Sequence, residues 1–147
     1  MEILAGRGPA LSFVLDSSVT LAWLFEEETT PAVRSVFDGL VRSGAWVPSL
    51  WRLEVANSLH MAVRRGRVTA AFRDESLDDL NLLPVSIDPE TDRQAWGATL
   101  QIASASGLTL YDASYLELAI RRHLPLAALD KELRVAAKTS GVKVLGI

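Results

Sequence analysis

The chain contains no cysteine in its 147 residues, and histidine occurs only twice. Without cysteine there is no disulfide framework, no thiolate nucleophile and no thiolate metal site. Any bound metal would have to be held by oxygen ligands or by the two histidines. His60 is predicted to lie in the middle of a helix and His123 at a helix C-terminus, where structural roles are the more common ones.

The chain also lacks the short motifs that carry phosphate-loop or serine-hydrolase chemistry. It contains neither G-x-x-x-x-G-K-[ST] nor G-x-G-x-x-G, so a glycine-rich nucleotide-binding loop is not indicated. Neither Ser17 nor Ser18 stands in a G-x-S-x-G sequence, which argues against a nucleophile elbow.

Long hydrophobic runs and an excess of positive charge are missing as well. The apolar runs are far shorter than the ~20 residues of a membrane span, and no basic segment precedes a signal-like run, so we expect a cytoplasmic protein with no membrane partner. The net charge is −3, which gives no overall electrostatic reason to bind nucleic acid. Hydrophobic residues make up 49% of the chain and charged residues 22%, as in a globular domain.

Short apolar segments alternate with helical patterns through most of the chain. Residues 1–11 contain two glycines and a proline and are interpreted as an N-terminal arm, with one domain over residues 12–147. The predicted strands lie at residues 13–15, 45–47, 84–87, 126–129 and 142–145, and one long helix is predicted over residues 88–106. This alternation predicts an α/β fold in which a parallel sheet has helices on both faces.

Four of the 18 acidic residues stand beside residues that should be buried. Asp16 and Asp130 each follow an apolar strand, Asp112 lies in the first turn of a helix, and Glu54 interrupts the apolar face of another helix. Helix capping or complementation of the helix dipole would explain each acid singly. If all four met at the carboxyl edge of the sheet, they would repel strongly and would need a cation, for which Mg²⁺ or Mn²⁺ is the best match to oxygen ligands.

Four segments containing these acids resemble, in their order, the PIN domain and in particular the VapC toxins of toxin–antitoxin pairs. The segments are Leu15-Asp16-Ser17-Ser18, Leu53-Glu54-Val55-Ala56-Asn57, Leu108-Thr109-Leu110-Tyr111-Asp112-Ala113 and Leu126-Ala127-Ala128-Leu129-Asp130. The resemblance covers residues 12–146 and implies a three-layer α/β/α fold with a small parallel sheet. One difference is Ala128, since the family often has threonine or serine two residues before the last acid.

The resemblance implies a Mg²⁺- or Mn²⁺-dependent endoribonuclease with Asp16, Glu54, Asp112 and Asp130 as the catalytic and metal-binding acids. Asp16 and Asp112 would be direct ligands, while Glu54 and Asp130 would bind through water or orient the nucleophile. Ser17 would support the first aspartate and Asn57 would stand behind the glutamate. Hydrolysis of an RNA phosphodiester would leave a 5′-phosphate and a 3′-hydroxyl, and the arginines expected to guide the RNA are Arg64, Arg65, Arg67 and Arg121.

The implied partners are RNA, a cognate antitoxin that covers the active-site groove, and a second copy of the chain in a homodimer. Four early aromatic residues could line such a groove or could belong to the core: Trp23, Phe25, Trp46 and Trp51.

Two other functions remain as alternatives. The chain could be a catalytically inactive PIN-like module that binds RNA or a partner, which metal-dependent cleavage with an EDTA control would distinguish. It could also be a phosphoacceptor receiver domain, but that fold has adjacent acids after its first strand, whereas Asp16 is followed by two serines.

Overall fold

The computed structural model describes residues 12–147, so the predicted N-terminal arm at residues 1–11 lies outside the described residues. Five short strands form one parallel sheet in the order β3-β2-β1-β4-β5. The strands are β1 (Phe13–Leu15), β2 (Ala45–Val47), β3 (Val85–Ile87), β4 (Leu126–Ala127) and β5 (Val144–Leu145). All three residues of β1 are buried because this central strand is covered on both faces.

Eight α-helices complete a three-layer α/β/α arrangement over residues 12–147. They are α1 (Ser17–Leu24), α2 (Pro31–Ser43), α3 (Trp51–Arg64), α4 (Ala70–Leu80), α5 (Thr91–Gln94), α6 (Ala98–Ser106), α7 (Leu110–Arg122) and α8 (Lys131–Thr139). Helix α1 packs against α2 and α3, whereas α7 packs against α6, α8 and β1. The predicted α/β fold with a parallel sheet is therefore confirmed.

Local sequence explains where the helices begin and end. Thr30 caps α2 by accepting a hydrogen bond of 3.1 Å from the Val33 N–H, and Pro31 occupies the first turn. The same helix ends at Gly44, whose φ of 74° favours glycine. A side chain at Gly44 would also approach the Pro84 carbonyl to 3.1 Å.

The single long helix predicted over residues 88–106 is wrong. The structure has α5 and α6 separated at Ala95–Gly97, because Gly97 has φ −114° and ψ −106°, outside the helical region. Asp88, predicted to begin that helix, is instead 1% exposed and lies in an ion-pair cluster with Arg121 and Arg122.

The early aromatic residues belong largely to the core. Trp51 and Phe25 are 4% and 7% exposed, and the Trp51 indole N–H donates to the Thr20 hydroxyl at 3.1 Å. Trp23 donates to the Val33 carbonyl at 2.8 Å, and the Trp46 ring lies under the guanidinium of Arg122. Phe25 also lines a groove between helices.

Candidate active site

Asp16 directly follows β1 and serves as the N-cap of α1. Its side chain accepts hydrogen bonds from the backbone N–H and the hydroxyl of Ser18, and the residue is 4% exposed. Burial, together with the charges of Asp112 and Glu54, raises the pKa of Asp16 to about 7 although the hydrogen bonds from Ser18 lower it. A carboxylate in this position is unfavourable unless a cation or a proton accompanies it.

The hydroxyl that supports Asp16 belongs to Ser18 and not to Ser17, which corrects the predicted role. Ser18 donates to Asp16 and accepts a hydrogen bond of 3.0 Å from the Leu129 N–H. It therefore joins the end of β1 to the segment that leads to Asp130. Ser17 lies instead beside Glu54 and Tyr115, where it lowers the pKa of both groups.

Glu54 reaches the site from the first turn of α3. Its Oε1 atom accepts a hydrogen bond from the Tyr115 hydroxyl at 2.5 Å. Burial raises the pKa of Glu54, as does the charge of Asp112, while hydrogen bonds from Tyr115 and Ser17 lower it. Glu54 and Asp112 are thus electrostatic neighbours although they lie on different helices.

Tyr115 is a site residue that sequence reasoning missed. It is fully buried in α7, three residues after Asp112, so it lies one turn further along the same helix face. Burial raises the pKa of the Tyr115 phenol, and the charges of Asp16 and Glu54 raise it further, so the group stays a neutral donor. The i, i+3 spacing of Asp112 and Tyr115 was the available signal in the sequence.

Asp112 lies in the first turn of α7, as predicted. Its backbone N–H donates to the Thr109 hydroxyl at 3.1 Å, which caps the helix. Burial raises the pKa of Asp112, and so do the charges of Asp130 and Glu132. The hydrogen bond with Thr109 lowers it. Glu132 is a further acid near the site that the sequence patterns did not single out.

Asp130 caps α8 and is exposed. Its side chain accepts from the Leu133 N–H at 2.9 Å. The buried Ala128 two residues earlier has no hydroxyl, but its carbonyl accepts a 2.7 Å hydrogen bond from Arg134, which also donates to the Leu145 carbonyl at 3.0 Å. Backbone contacts through Ser18 and Arg134 therefore hold the segment that leads to Asp130.

The acids act on one another electrostatically without forming a closed metal cage. The charges of Asp112 and Glu54 raise the pKa of Asp16, that of Asp112 raises the pKa of Glu54, and that of Asp130 raises the pKa of Asp112. Within residues 12–147, no three Asp, Glu, His or Cys side chains are arranged closely enough to hold an ion between them. The donor set still fits Mg²⁺ or Mn²⁺, because such an ion is commonly held by one or two carboxylates and keeps several waters.

Asn57 is exposed and lines a groove of about 340 Å³ between α1 and α3. Other residues of this groove are Leu21, Phe25, Glu28, Ser58, Met61, Ala62, Arg65 and Arg67. Among the described residues, no hydrogen bond links Asn57 to Glu54. Asn57 is therefore a groove residue here and not a hydrogen-bond partner of the glutamate.

The predicted RNA-guiding arginines differ in their availability. Arg64 and Arg65 are exposed, whereas Arg67 forms ion pairs with Glu27 and Glu28 at 2.6 Å and 2.9 Å. The prediction for Arg121 is wrong, because its guanidinium is engaged by Asp88 at 2.7 Å and Glu117 at 2.8 Å, and both of those carboxylates are buried. Arg121 holds α7 in place and is not free to bind a phosphate.

A parallel sheet with carboxylates beyond the ends of β1 and β4 is typical of α/β proteins that carry their functional site at the carboxyl edge of the sheet. Residues 13–139 match the model of the PIN domain, and the chain belongs to this family, whose fold is generally that of a metal-dependent nuclease. A search of curated proteins gave no match. A crystal structure described as PAE2754 from Pyrobaculum aerophilum is similar, with 28% identity and a TM-score of 0.67 over 97% of this chain and 90% of that chain. Over residues 12–147, no helix is both long and apolar enough to cross a membrane.

Proposed function

We propose that the chain is a metal-dependent endoribonuclease that acts as the toxin of a toxin–antitoxin pair. The observation that carries this proposal is the group of carboxylates at the end of β1 and on α3 and α7, whose charges oppose one another in a fold of the PIN family. Such an arrangement is unfavourable alone and becomes favourable with a divalent cation.

In this proposal Asp16 and Asp112 hold Mg²⁺ or Mn²⁺ directly, and Glu54 and Asp130 act through water or orient it. A bound ion would supply Lewis-acid stabilisation and an activated water for hydrolysis of an RNA phosphodiester. Ser18 keeps the Asp16 carboxylate oriented, and Tyr115 keeps that of Glu54. Arg64 and Arg65 remain as exposed cations that could attract the RNA backbone.

Cleavage of RNA in Mg²⁺ tests the catalytic part of the proposal. The wild-type chain should cleave, EDTA should stop cleavage, and Asp16→Asn should remove it because one direct ligand is weakened. Asp38→Asn, an exposed change on α2, is the matched control and should cleave as the wild type does. Equal cleavage by wild type and Asp16→Asn would contradict the metal site, and wild-type protein that binds RNA without cutting it would favour the inactive RNA-binding alternative.

The partner part of the proposal rests on the groove between α1 and α3. This groove combines apolar residues with Asn57 and Arg65, which suits a short segment of an antitoxin that carries both apolar and polar side chains. Expression of the chain alone should arrest growth, and the reading frame immediately upstream should relieve the arrest. Growth arrest that is equally strong with Asp16→Asn would show that toxicity does not come from cleavage.

A further inference from the structure

Two tyrosines occur in the chain, and they differ sharply in surroundings. Tyr111 is 64% exposed, whereas Tyr115, one turn later in α7, is completely buried. A phenol hydroxyl is usually directed to a partner when its ring is buried. The partner of Tyr115 is Glu54, which lies 61 residues away in the sequence.

The Tyr115 hydroxyl is held in one place by the packing of its ring. The ring belongs to the same hydrophobic core as β1, Leu116 and Leu118, so it has little freedom to move. Its O–H donates to the Oε1 atom of Glu54 at 2.5 Å, which connects α7 to the first turn of α3. A fixed donor of this kind restricts the carboxylate to one orientation.

The chemical type of this donor matters as much as its position. A lysine or arginine in the same place would neutralise Glu54 and compete with a metal cation for it. A neutral phenol instead leaves the carboxylate negatively charged, and the lone pairs that Tyr115 and Ser17 do not use are available for a ligand or a water. Removal of a residue that hydrogen-bonds and orients a metal-binding carboxylate commonly weakens binding of the metal.

We infer that Tyr115 is a positioning residue of the metal site, which holds Glu54 beside Asp16 and Asp112 through its hydroxyl. This inference rests on the proposed metal-dependent function. It concerns the oxygen atom of Tyr115 alone, because the ring also serves the core.

Titration of the full chain with Mn²⁺, followed by calorimetry in the absence of RNA, tests the inference. Tyr115→Phe keeps the ring and removes only the hydroxyl, so it should weaken Mn²⁺ binding by about tenfold. Tyr111→Phe is the matched control on the same helix and should bind Mn²⁺ as the wild type does. Cleavage by Tyr115→Phe should recover at high Mn²⁺ concentration, because the lost hydroxyl affects binding of the ion.

A double-mutant cycle with Glu54→Gln separates positioning from a general loss of structure. If Tyr115 acts through Glu54, adding Tyr115→Phe to Glu54→Gln should weaken Mn²⁺ binding no further. An equal additional loss in both backgrounds would overturn the inference, as would unchanged Mn²⁺ affinity in Tyr115→Phe. Circular dichroism below the unfolding transition confirms that the compared proteins are folded.

The two proposals fail in different ways. If the wild type binds no Mn²⁺ and Asp112→Asn is identical to it, the proposed function fails and the role of Tyr115 fails with it. If the wild type binds Mn²⁺, Asp112→Asn does not, and Tyr115→Phe binds like the wild type, only the positioning role of Tyr115 is refuted.

Discussion

Asp16 combines two requirements that conflict at the level of one residue. Its position between a buried strand and a helix makes it a good N-cap, which satisfies the Ser18 N–H. The same position removes the carboxylate from water and places it near Glu54 and Asp112, which raises its pKa to about 7. An asparagine would cap the helix equally well, so capping alone does not require the charge.

The raised pKa makes Asp16 a source of instability in the metal-free protein. In the unfolded chain the group ionises near 3.8, whereas in the folded chain it ionises near 7, so the folded state binds more protons between these values. Stability therefore falls as the pH rises from about 4 to about 7, and the whole penalty is present above about 7. Below about pH 4 both states are protonated and the effect disappears.

We expect Asp16→Asn to stabilise the protein in EDTA at about pH 8 by about 1–3 kcal/mol, below the roughly 4 kcal/mol to which the full shift converts. The gain should shrink at about pH 5, where the folded wild type is already protonated. Thermal unfolding at both pH values measures the difference. Mg²⁺ should raise the stability of the wild type more than that of the variant, because the ion binds the intact carboxylate. An Asp16→Asn protein that is less stable than the wild type in EDTA at about pH 8 would contradict the argument.

Sequence patterns identified the acids but not the groups that orient them. Asp16, Glu54 and Asp112 stand out because a carboxylate beside apolar residues needs an explanation within its own segment. Ser18 lies only two residues from Asp16, but its second partner Leu129 lies 111 residues away. Tyr115 has only its i, i+3 spacing from Asp112 as a local signal, since its partner Glu54 lies 61 residues away. For the same reason Arg121 was assigned to RNA, because its partner Asp88 belongs to another element.

At the level of secondary structure, the boundaries that depend on local chemistry were predictable. Capping by Thr30 and Thr109 and the glycine stop at Gly44 are all interactions between near neighbours. The break between α5 and α6 was missed because the apolar spacing continues through it, while Gly97 adopts a conformation that only the packed fold requires. The strands, with only two or three residues each, were found from their apolar runs.

Helix α7 depends on an ion-pair cluster at its C-terminal end. Asp88, 1% exposed, accepts from Arg121 at 2.7 Å and from Arg122 at 3.1 Å, and Thr91 and the Glu90 N–H add hydrogen bonds to the same carboxylate. Burial raises the pKa of Asp88, but the two arginines outweigh it and hold the pKa below its usual value. The carboxylate therefore contributes stability above about pH 4, and this contribution is lost as the pH falls through the lowered pKa.

We expect Asp88→Asn to destabilise the protein by about 3 kcal/mol at neutral pH, because it leaves two partly buried guanidinium groups without their shared carboxylate. Urea unfolding measures this loss, which should become smaller as the pH is lowered below about 4. Asp79→Asn is a suitable control, since Asp79 is exposed on α4. An unchanged unfolding midpoint in Asp88→Asn would show that the cluster does not hold α7 to the end of β3.

At the scale of the whole molecule, the sheet order explains how distant acids come together. β1 lies between β2 and β4, so Asp16 at its end is close both to the segment that follows β4 and to helices α3 and α7. Prediction of a parallel α/β fold was sufficient to place Asp16 and Asp130 at the same edge. It could not show that the acids lie close enough to affect pKa values within the group, while no three of the described side chains are close enough to hold one ion. Both facts depend on side-chain positions.

Among residues 12–147, two large apolar side chains are exposed close together in sequence, at and after the turn between α5 and α6. Trp96 is 91% exposed in the turn between α5 and α6, and Leu100, four residues later, is 50% exposed. Covering a tryptophan of this size by association would contribute about 2 kcal/mol or more. The homodimer that the family resemblance implies would supply such a cover if Trp96 lies at the contact between the two copies.

We therefore expect the wild-type chain to dimerise and Trp96→Ser to be monomeric at the same protein concentration. In a symmetric interface both copies lose the apolar side chain, so the substitution removes two apolar contacts from the dimer. Sedimentation velocity over a range of concentrations measures the change in mass. Leu82→Ser is the matched control, since Leu82 is 83% exposed in the turn that precedes β3, whereas Trp96 follows β3, and its loss should leave the dimer intact. A monomeric wild type, or equal dissociation of the two variants, would mean that Trp96 is not at a contact between copies and that another partner must be sought for it.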